Sequence, residues 1–310
     1  MYSLIIPVYK NEDSIPDLLE MLPVLNRKLK NRLEVVFVVD GSPDRCFEVL
    51  DVALKKVEFR TRLLLLTRNF GSFAAIRTGL AVANGPYFAV MAADLQEPSK
   101  LILEFFETLE SEEIDVTIGM RIQRDDPYLS RFASKLFWKM YTRYVQNDIP
   151  PGGVDVFGCN VNFRNQLIKL EEANSSLIGQ IFWLGFRRKT IEYRRLARKY
   201  GNSTWTLSKK INYMLNSIFS FTDLPIKVVT LTGLLGISIS TTLAFIVLLA
   251  KLFNLISIPG YTAIILSIVF FTALNLFALG IIGSYIWRAF ENTKRRPESL
   301  ILFNKDFTEK

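Results

Sequence analysis

Tyr87-Phe88-Ala89-Val90-Met91-Ala92-Ala93-Asp94-Leu95-Gln96-Glu97-Pro98 decides how this chain folds. The run from Tyr87 to Ala93 is apolar and short, and it suits a buried, pleated strand. Polar residues then arrive together, and Pro98 stops the strand. In an open parallel sheet, ligands bind beyond the carboxyl ends of the strands. Asp94 therefore stands on a strand tip where chemistry is usually placed. Gln96, two residues on, points to the same side of the chain. Together they offer hard oxygens of the kind that Mg2+ or Mn2+ prefers. A plainer reading is that Asp94 only caps the helix that begins near Pro98.

The flanking sequence repeats this pattern. Strand-like runs at residues 3–8, 33–39, 62–66 and 115–119 alternate with helical periodicity at 14–30, 44–57, 72–84 and 98–111. Such alternation predicts a parallel sheet with helices on both faces. Each strand ends in a polar cluster: Tyr9–Asn11, Asp40–Ser42, Arg68–Asn69, Asp94–Gln96 and Arg121. All of these fall along one rim. Asp40 lies in Asp40-Gly41-Ser42-Pro43-Asp44, which also reads simply as a turn. No Gly-x-Gly-x-x-Gly follows the first strand and no Gly-Lys-Ser/Thr loop is present, which argues against a dinucleotide enzyme or a P-loop NTPase.

Composition narrows the chemistry. The 310 residues include no histidine, which excludes His-based acid–base catalysis, Ser-His-Asp triads and His-bound zinc. The two cysteines, Cys46 and Cys159, are too few for a zinc cluster and read as buried thiols. A formal net charge of +8 favours acidic partners such as phosphates or anionic lipid. Half of the residues are hydrophobic, a high share for a water-soluble chain.

The source of that hydrophobicity lies near the C-terminus. Residues 228–250 and 252–287 carry no charge, and Pro259-Gly260 interrupts the second run, leaving a span at about 261–287. Each span is long enough to cross a hydrocarbon core of about 30 Å. Lys209, Lys210 and Lys227 precede the pair, Arg288, Lys294, Arg295 and Arg296 follow it, and only Lys251 lies between. The positive-inside rule then puts both ends in the cytoplasm. Residues 128–146 and Trp205–Thr222 read as amphipathic helices suited to a membrane surface, and the first equally suits packing on the domain. This hairpin explains the basic charge better than nucleic acid does, so no nucleic-acid partner is expected. Small-residue faces at Gly233, Gly236, Gly280 and Gly283 favour close helix packing and a homo-oligomer.

Four motifs in order carry a resemblance: Ile6-Pro7-Val8-Tyr9-Lys10-Asn11-Glu12, Val39-Asp40-Gly41-Ser42-Pro43-Asp44, Arg68-Asn69-Phe70-Gly71 and Ala93-Asp94-Leu95-Gln96-Glu97-Pro98. With the C-terminal hairpin, the chain resembles family 2 glycosyltransferases of the polyisoprenyl-phosphate group, such as dolichol-phosphate mannose synthases and bactoprenol glucosyltransferases. The resemblance implies an α/β fold of GT-A type: a Rossmann-like, mostly parallel sheet with interfacial helices and a two-helix hairpin. It implies inverting transfer of a hexose, glucose from UDP-glucose, to polyprenyl phosphate such as undecaprenyl phosphate. By position, Pro7, Tyr9, Asn11, Glu12, Asp40, Arg68, Arg195, Arg198 and Ser203 would bind the nucleotide sugar. Asp94 and Gln96 would hold Mg2+ or Mn2+ on its diphosphate. Arg121, Arg131 and Ser134 would meet the acceptor phosphate, and Asp155 would act beside it as base or orienting group.

Two positions depart from the family pattern. Ala92 and Val39 stand where the family usually carries aspartate. The metal site therefore rests on fewer carboxylates, and the alternative reading is a degenerate, non-catalytic membrane scaffold or regulatory subunit. The expected organisation is a catalytic domain over 1–204, a juxtamembrane helix over 205–224, a hairpin over 225–288 and a cytoplasmic tail over 289–310.

Overall fold

The computed structural model describes residues 1–122, 154, 156–172, 175–200, 207–253 and 260–307. Apolar runs flanked by polar turns form the strands β1 (Tyr2–Val8), β2 (Leu33–Val39), β3 (Arg60–Leu66), β4 (Tyr87–Val90) and β5 (Val116–Arg121). Three more follow: β6 (Phe157–Asn160), β7 (Arg188–Tyr193) and β8 (Ile301–Phe307). They make one sheet in the order β7-β5-β6-β4-β1-β2-β3-β8. Pairing is parallel between β4, β1, β2 and β3 and between β5 and β7, whereas β6 and β8 run antiparallel to their neighbours.

Both faces of the sheet are covered, which is why β2 is buried at every position. Alternate residues serve opposite cores. Leu4, Ile6, Val8, Val35, Phe37 and Val39 face α1 (Ile15–Lys28), α2 (Cys46–Ala53) and α4 (Ser99–Ser111). Ile5, Val36 and Val38 face the other layer, built from α3 (Ser72–Val82), α5 (Val161–Leu167) and α6 (Leu177–Trp183). The helices that the sequence places at about 164–184 are these two short elements, α5 and α6. Asn160 and Ser176 start them, each accepting a backbone N–H three residues on.

Three helices lie beyond. The amphipathic α7 (Leu207–Phe221) packs Tyr213, Ile218 and Phe221 on the second core. Gly179 makes this possible, since a Cβ there would lie 2.4 Å from the Phe221 ring. α8 (Leu224–Leu252) and α9 (Tyr261–Thr293) have 29 and 33 residues. Within α9, Phe270–Thr293 has a mean hydropathy of 1.6 and none of that window is buried, so it is long and apolar enough to cross a membrane. α7 and the first half of α8 meet at a bend of 79°.

The segment after the two long helices differs from expectation. The tail expected over 289–310 is structured through its described part: α9 runs on to Thr293, and β8 then joins the edge of the sheet beside β3. Arg62 and Asp306 sit directly opposite in this ladder and pair at 2.6 Å. Phe303 stacks on Phe47. Ahead of β8, Glu298 meets the Arg77 guanidinium of α3 at 2.5 Å, and Arg77 also donates to Gln180 Oε1 at 2.9 Å.

Burial raises the Glu298 carboxyl above its ordinary range; Glu171 and Glu172 add to this and Arg77 opposes it. A carboxyl raised in the folded state contributes stability below its unfolded pKa, and that contribution is lost as pH rises through the folded value. Glu298→Gln removes the titration. Its melting temperature relative to wild type is expected to become more favourable as pH rises from about 3.5 to about 8, a range that brackets an ordinary Glu pKa of about 4.3 and a raised one. A pH-independent difference between the two proteins would contradict the burial argument.

Candidate active site

The carboxyl ends of β1, β2, β3, β4, β5 and β7 share one rim, as parallel pairing requires. Loops from β1 and β2 are stitched together there. Lys10 N donates to Ser42 Oγ at 2.8 Å, Arg45 N donates to Glu12 Oε2 at 3.0 Å, and Tyr9 N donates to Asn11 Oδ1 at 3.3 Å. Pro7 is within β1, paired with Val38. Cys46 also lies here, and burial pushes its thiol up to about 12, so it stays protonated at neutral pH. Burial raises the Cys159 thiol as well.

Asp40 is 2 % exposed and its two carboxylate oxygens are both engaged. They accept the Phe70 and Gly71 N–H groups at 2.7 and 2.8 Å, at the start of α3. Burial raises this carboxyl, and the two N–H groups offset part of the rise. Asp40 thus does more than shape its own turn: it holds the Arg68–Gly71 loop at the rim. Next to it Gly41 has φ +52°, and a Cβ there would lie 2.2 Å from the Arg68 carbonyl carbon. Arg68 itself is laid over the Phe70 ring at 4.1 Å. Asp40→Ala strips two N–H groups of a charged acceptor, and a loss of about 2 kcal/mol or more is expected in denaturant unfolding. Unchanged stability would show that the loop is held by other contacts.

Asp94 is 8 % exposed and does not cap α4, whose N-terminal residue Pro98 is followed by a helix with no side-chain cap. Leu95 takes φ +56°, folding the chain so that Asp94 Oδ1 accepts Gln96 N at 3.3 Å. Asp94 Oδ2 is left to face outward, where the Arg198 Nη2 group meets it at 2.8 Å. The same nitrogen donates to Gln96 Oε1 at 3.1 Å. Gln96 is oriented by its other end, since Nε2 donates to the Leu196 carbonyl at 3.2 Å and Leu196 N returns a bond to Gln96 O at 2.9 Å. Two hard oxygens therefore converge on one cation position. Ala92 adds no side-chain ligand, and the nearby buried Glu97 is turned toward the Ala92 N–H.

Arg198 comes from a strap of irregular chain, Arg194–Tyr200, that follows β7. Its far end is tied to α1: Lys199 Nζ pairs with Asp17 Oδ2 at 2.5 Å and Tyr200 Oη donates to the same oxygen at 3.1 Å. The Lys199 hydrogen bond, chiefly, holds the Asp17 carboxyl below its ordinary range. Arg195 lies in the same strap, and its Nε is buried with no hydrogen-bond partner. Arg121 ends β5 opposite Tyr193. The rim thus gathers Asp40, Arg68, Asp94, Gln96, Arg121, Arg195 and Arg198. Arg131, Ser134, Asp155 and Ser203, together with the amphipathic helix expected over 128–146, lie outside the described residues. Sequence reading missed Asp17, Lys199 and Tyr200. Ion pairs so distant along the chain leave no periodic signal.

Among the described residues no cluster of three or more Cys, Asp or Glu side chains is poised to bind a metal. The converging oxygens of Asp94 and Gln96 nevertheless fit a hard cation that draws its remaining ligands from elsewhere, because Mg2+ keeps several waters or substrate oxygens.

Comparison with known proteins identifies the family. The sequence pattern of Glycosyl transferase family 2 matches residues 3–170. The Bacillus subtilis protein CsbB is 32 % identical over 313 residues, covering 100 % of this chain and 94 % of its own. A bactoprenol glucosyl transferase of Shigella phage SfV is 28 % identical, covering 96 % of this chain and 97 % of its own. An undecaprenyl-phosphate 4-deoxy-4-formamido-L-arabinose transferase of Photorhabdus laumondii is also 28 % identical, covering 96 % and 92 %.

Proposed function

Since the chain belongs to glycosyl transferase family 2 and is a glycosyltransferase of GT-A type, we propose that it transfers a hexose from a nucleotide sugar to polyprenyl phosphate at a membrane surface. The donor we assign is UDP-glucose, and inversion at the sugar carbon gives a β-linked lipid monosaccharide. One observation carries the reading: an acidic seat and a basic strap, distant in sequence, close on each other at the rim through Asp94, Gln96 and Arg198. The relatives that act on bactoprenol or undecaprenyl phosphate support the choice of acceptor.

The roles follow from charge. A lipid phosphate is already an anion, so it attacks without a strong general base, and the lack of histidine is no obstacle. Arg121 at the end of β5 would meet the acceptor phosphate, and Arg131, Ser134 and Asp155, outside the described residues, are assigned to the acceptor by the resemblance alone. Arg195 and Arg198 hold the donor diphosphate, with the buried Arg195 Nε as a donor ready for an oxygen. Asp94 and Gln96 would hold Mg2+ or Mn2+, which supplies positive charge to the departing diphosphate. The loops held by Asp40 and Glu12 would shape the nucleotide pocket with Pro7, Tyr9, Asn11 and Arg68, and Ser203, outside the described residues, is assigned to it by the resemblance alone.

The topology supports a membrane hairpin. β3 and β8 lie in one sheet, so the chain leaves and re-enters the catalytic domain on the same side of any membrane. If Phe270–Thr293 crosses, a second crossing must precede it. α8, at about 1.5 Å per residue over 29 residues, reaches about 43 Å and is long enough. Its exposed Leu231, Leu234, Leu235, Ile239 and Phe245 suit lipid. With α8 upright, the 79° bend lays α7 along the surface. The flanking Lys and Arg residues support a cytoplasmic catalytic domain.

A donor screen tests the assignment. Purified protein, undecaprenyl phosphate and Mg2+ or Mn2+ are mixed with UDP-glucose, UDP-galactose or GDP-mannose, and the lipid is weighed by mass spectrometry. A hexosylated lipid from UDP-glucose is expected. A product from GDP-mannose alone would overturn the choice of donor.

A further inference from the structure

Arg198 sits on the two oxygens assigned to the metal. Its Nη2 is 2.8 Å from Asp94 Oδ2 and 3.1 Å from Gln96 Oε1, so a divalent ion ligated by both oxygens cannot share the space. Charge says which cation holds the seat. With Ala92 in place of a second carboxylate, Asp94 is, among the described residues, the one carboxylate seen to pair with Arg198 at the seat. A guanidinium neutralises one charge and makes directed hydrogen bonds. A divalent ion on one carboxylate and one amide keeps excess charge and most of its water. A donor diphosphate changes this balance. It brings negative oxygens that complete the metal's ligands, and it offers Arg198 a bidentate anion partner instead of Asp94.

We propose that Arg198 is the resident cation of the Asp94–Gln96 seat in the unliganded enzyme and yields it only to a metal arriving with a diphosphate. This rests on the reading of the site as a nucleotide-sugar site. The strap is built for such an exchange. Residues 194–200 have no regular structure, and the strap is fastened on both sides of Arg198, at Gln96 through Leu196 and at Asp17 through Lys199 and Tyr200. The guanidinium can therefore turn from carboxylate to phosphate while its backbone stays in place. Metal affinity is then set by the donor, and the loss of a carboxylate at position 92 leaves the resting seat neutral and closed.

Mn2+ binding to the full-length protein in detergent, read by the spin resonance of free Mn2+, tests this without turnover. Wild type is expected to bind Mn2+ alone weakly and about tenfold or more tightly with UDP, a usual size for coupling between two ligands. Arg198→Gln is expected to bind Mn2+ alone about tenfold more tightly than wild type, for the same reason. Arg198→Lys keeps a charge at the seat and should stay close to wild type, which separates charge competition from a loosened strap. Adding Asp94→Asn to Arg198→Gln should abolish the gain. Equal Mn2+ affinity of wild type and Arg198→Gln would overturn the proposal, as would a gain that survives Asp94→Asn. If UDP binds neither protein, the donor reading fails, while the comparison in Mn2+ alone still decides who holds the seat.

Discussion

Asp94→Ala is expected to lower turnover by about two to three orders of magnitude, a loss of about 2.7–4 kcal/mol of transition-state stabilisation, as when other preorganised electrostatic groups are removed. The fold should survive, because Asp94 sits on a rim and its partner Arg198 is partly open to water on the strap. The defect should fall on catalysis with donor bound, since the charge that Asp94 organises matters most as the diphosphate departs. Steady-state kinetics on the lipid product, with a melting curve beside them, measure both. Turnover near wild type would remove Asp94 from the catalytic machinery, and a large fall in melting temperature would make it a structural residue instead.

Ending the chain after Pro297 is the second large effect. It deletes β8 and with it the ladder from Thr61–Phe307 to Leu66–Ile301, the Arg62–Asp306 pair and the Phe47–Phe303 stack. It also takes Glu298 from the nearly buried Arg77. Net values near 1 kcal/mol per hydrogen bond put the loss at roughly 4 kcal/mol. For a domain of this size that corresponds to a fall in melting temperature of about 10 °C. The open β3 edge would also favour aggregation. A truncated protein that melts with wild type would show that the C-terminal strand does not hold the catalytic sheet.

These two variants bear on opposite halves of what the sequence reveals. The strands β1 to β5 were legible because buried parallel strands read as apolar runs broken by turns, and the break at Pro98 located Asp94. Whether Asp94 capped a helix or faced a site was not legible. That depended on the left-handed turn at Leu95, which no propensity demands of leucine. Arg198 and Gln96 are 102 residues apart and Lys199 and Asp17 are 182 apart. Side chains brought together over such distances carry no local pattern, and only the family resemblance pointed to the basic loop. β8 was hidden differently. Ile301-Leu302-Phe303 is strand-like, but its partner β3 lies on the far side of two long apolar helices. Reading the hairpin as the end of the structure made what followed look like a tail.

The central claim is that this site moves a hexose onto a lipid phosphate. Its most direct measurement is the mass spectrum of the lipid fraction after wild-type protein has been incubated with UDP-glucose, undecaprenyl phosphate and Mn2+. The account predicts undecaprenyl phosphate heavier by one anhydrohexose, dependent on the lipid and absent with Asp94→Ala. UDP release with the lipid unchanged, or no reaction with any nucleotide hexose, would contradict it.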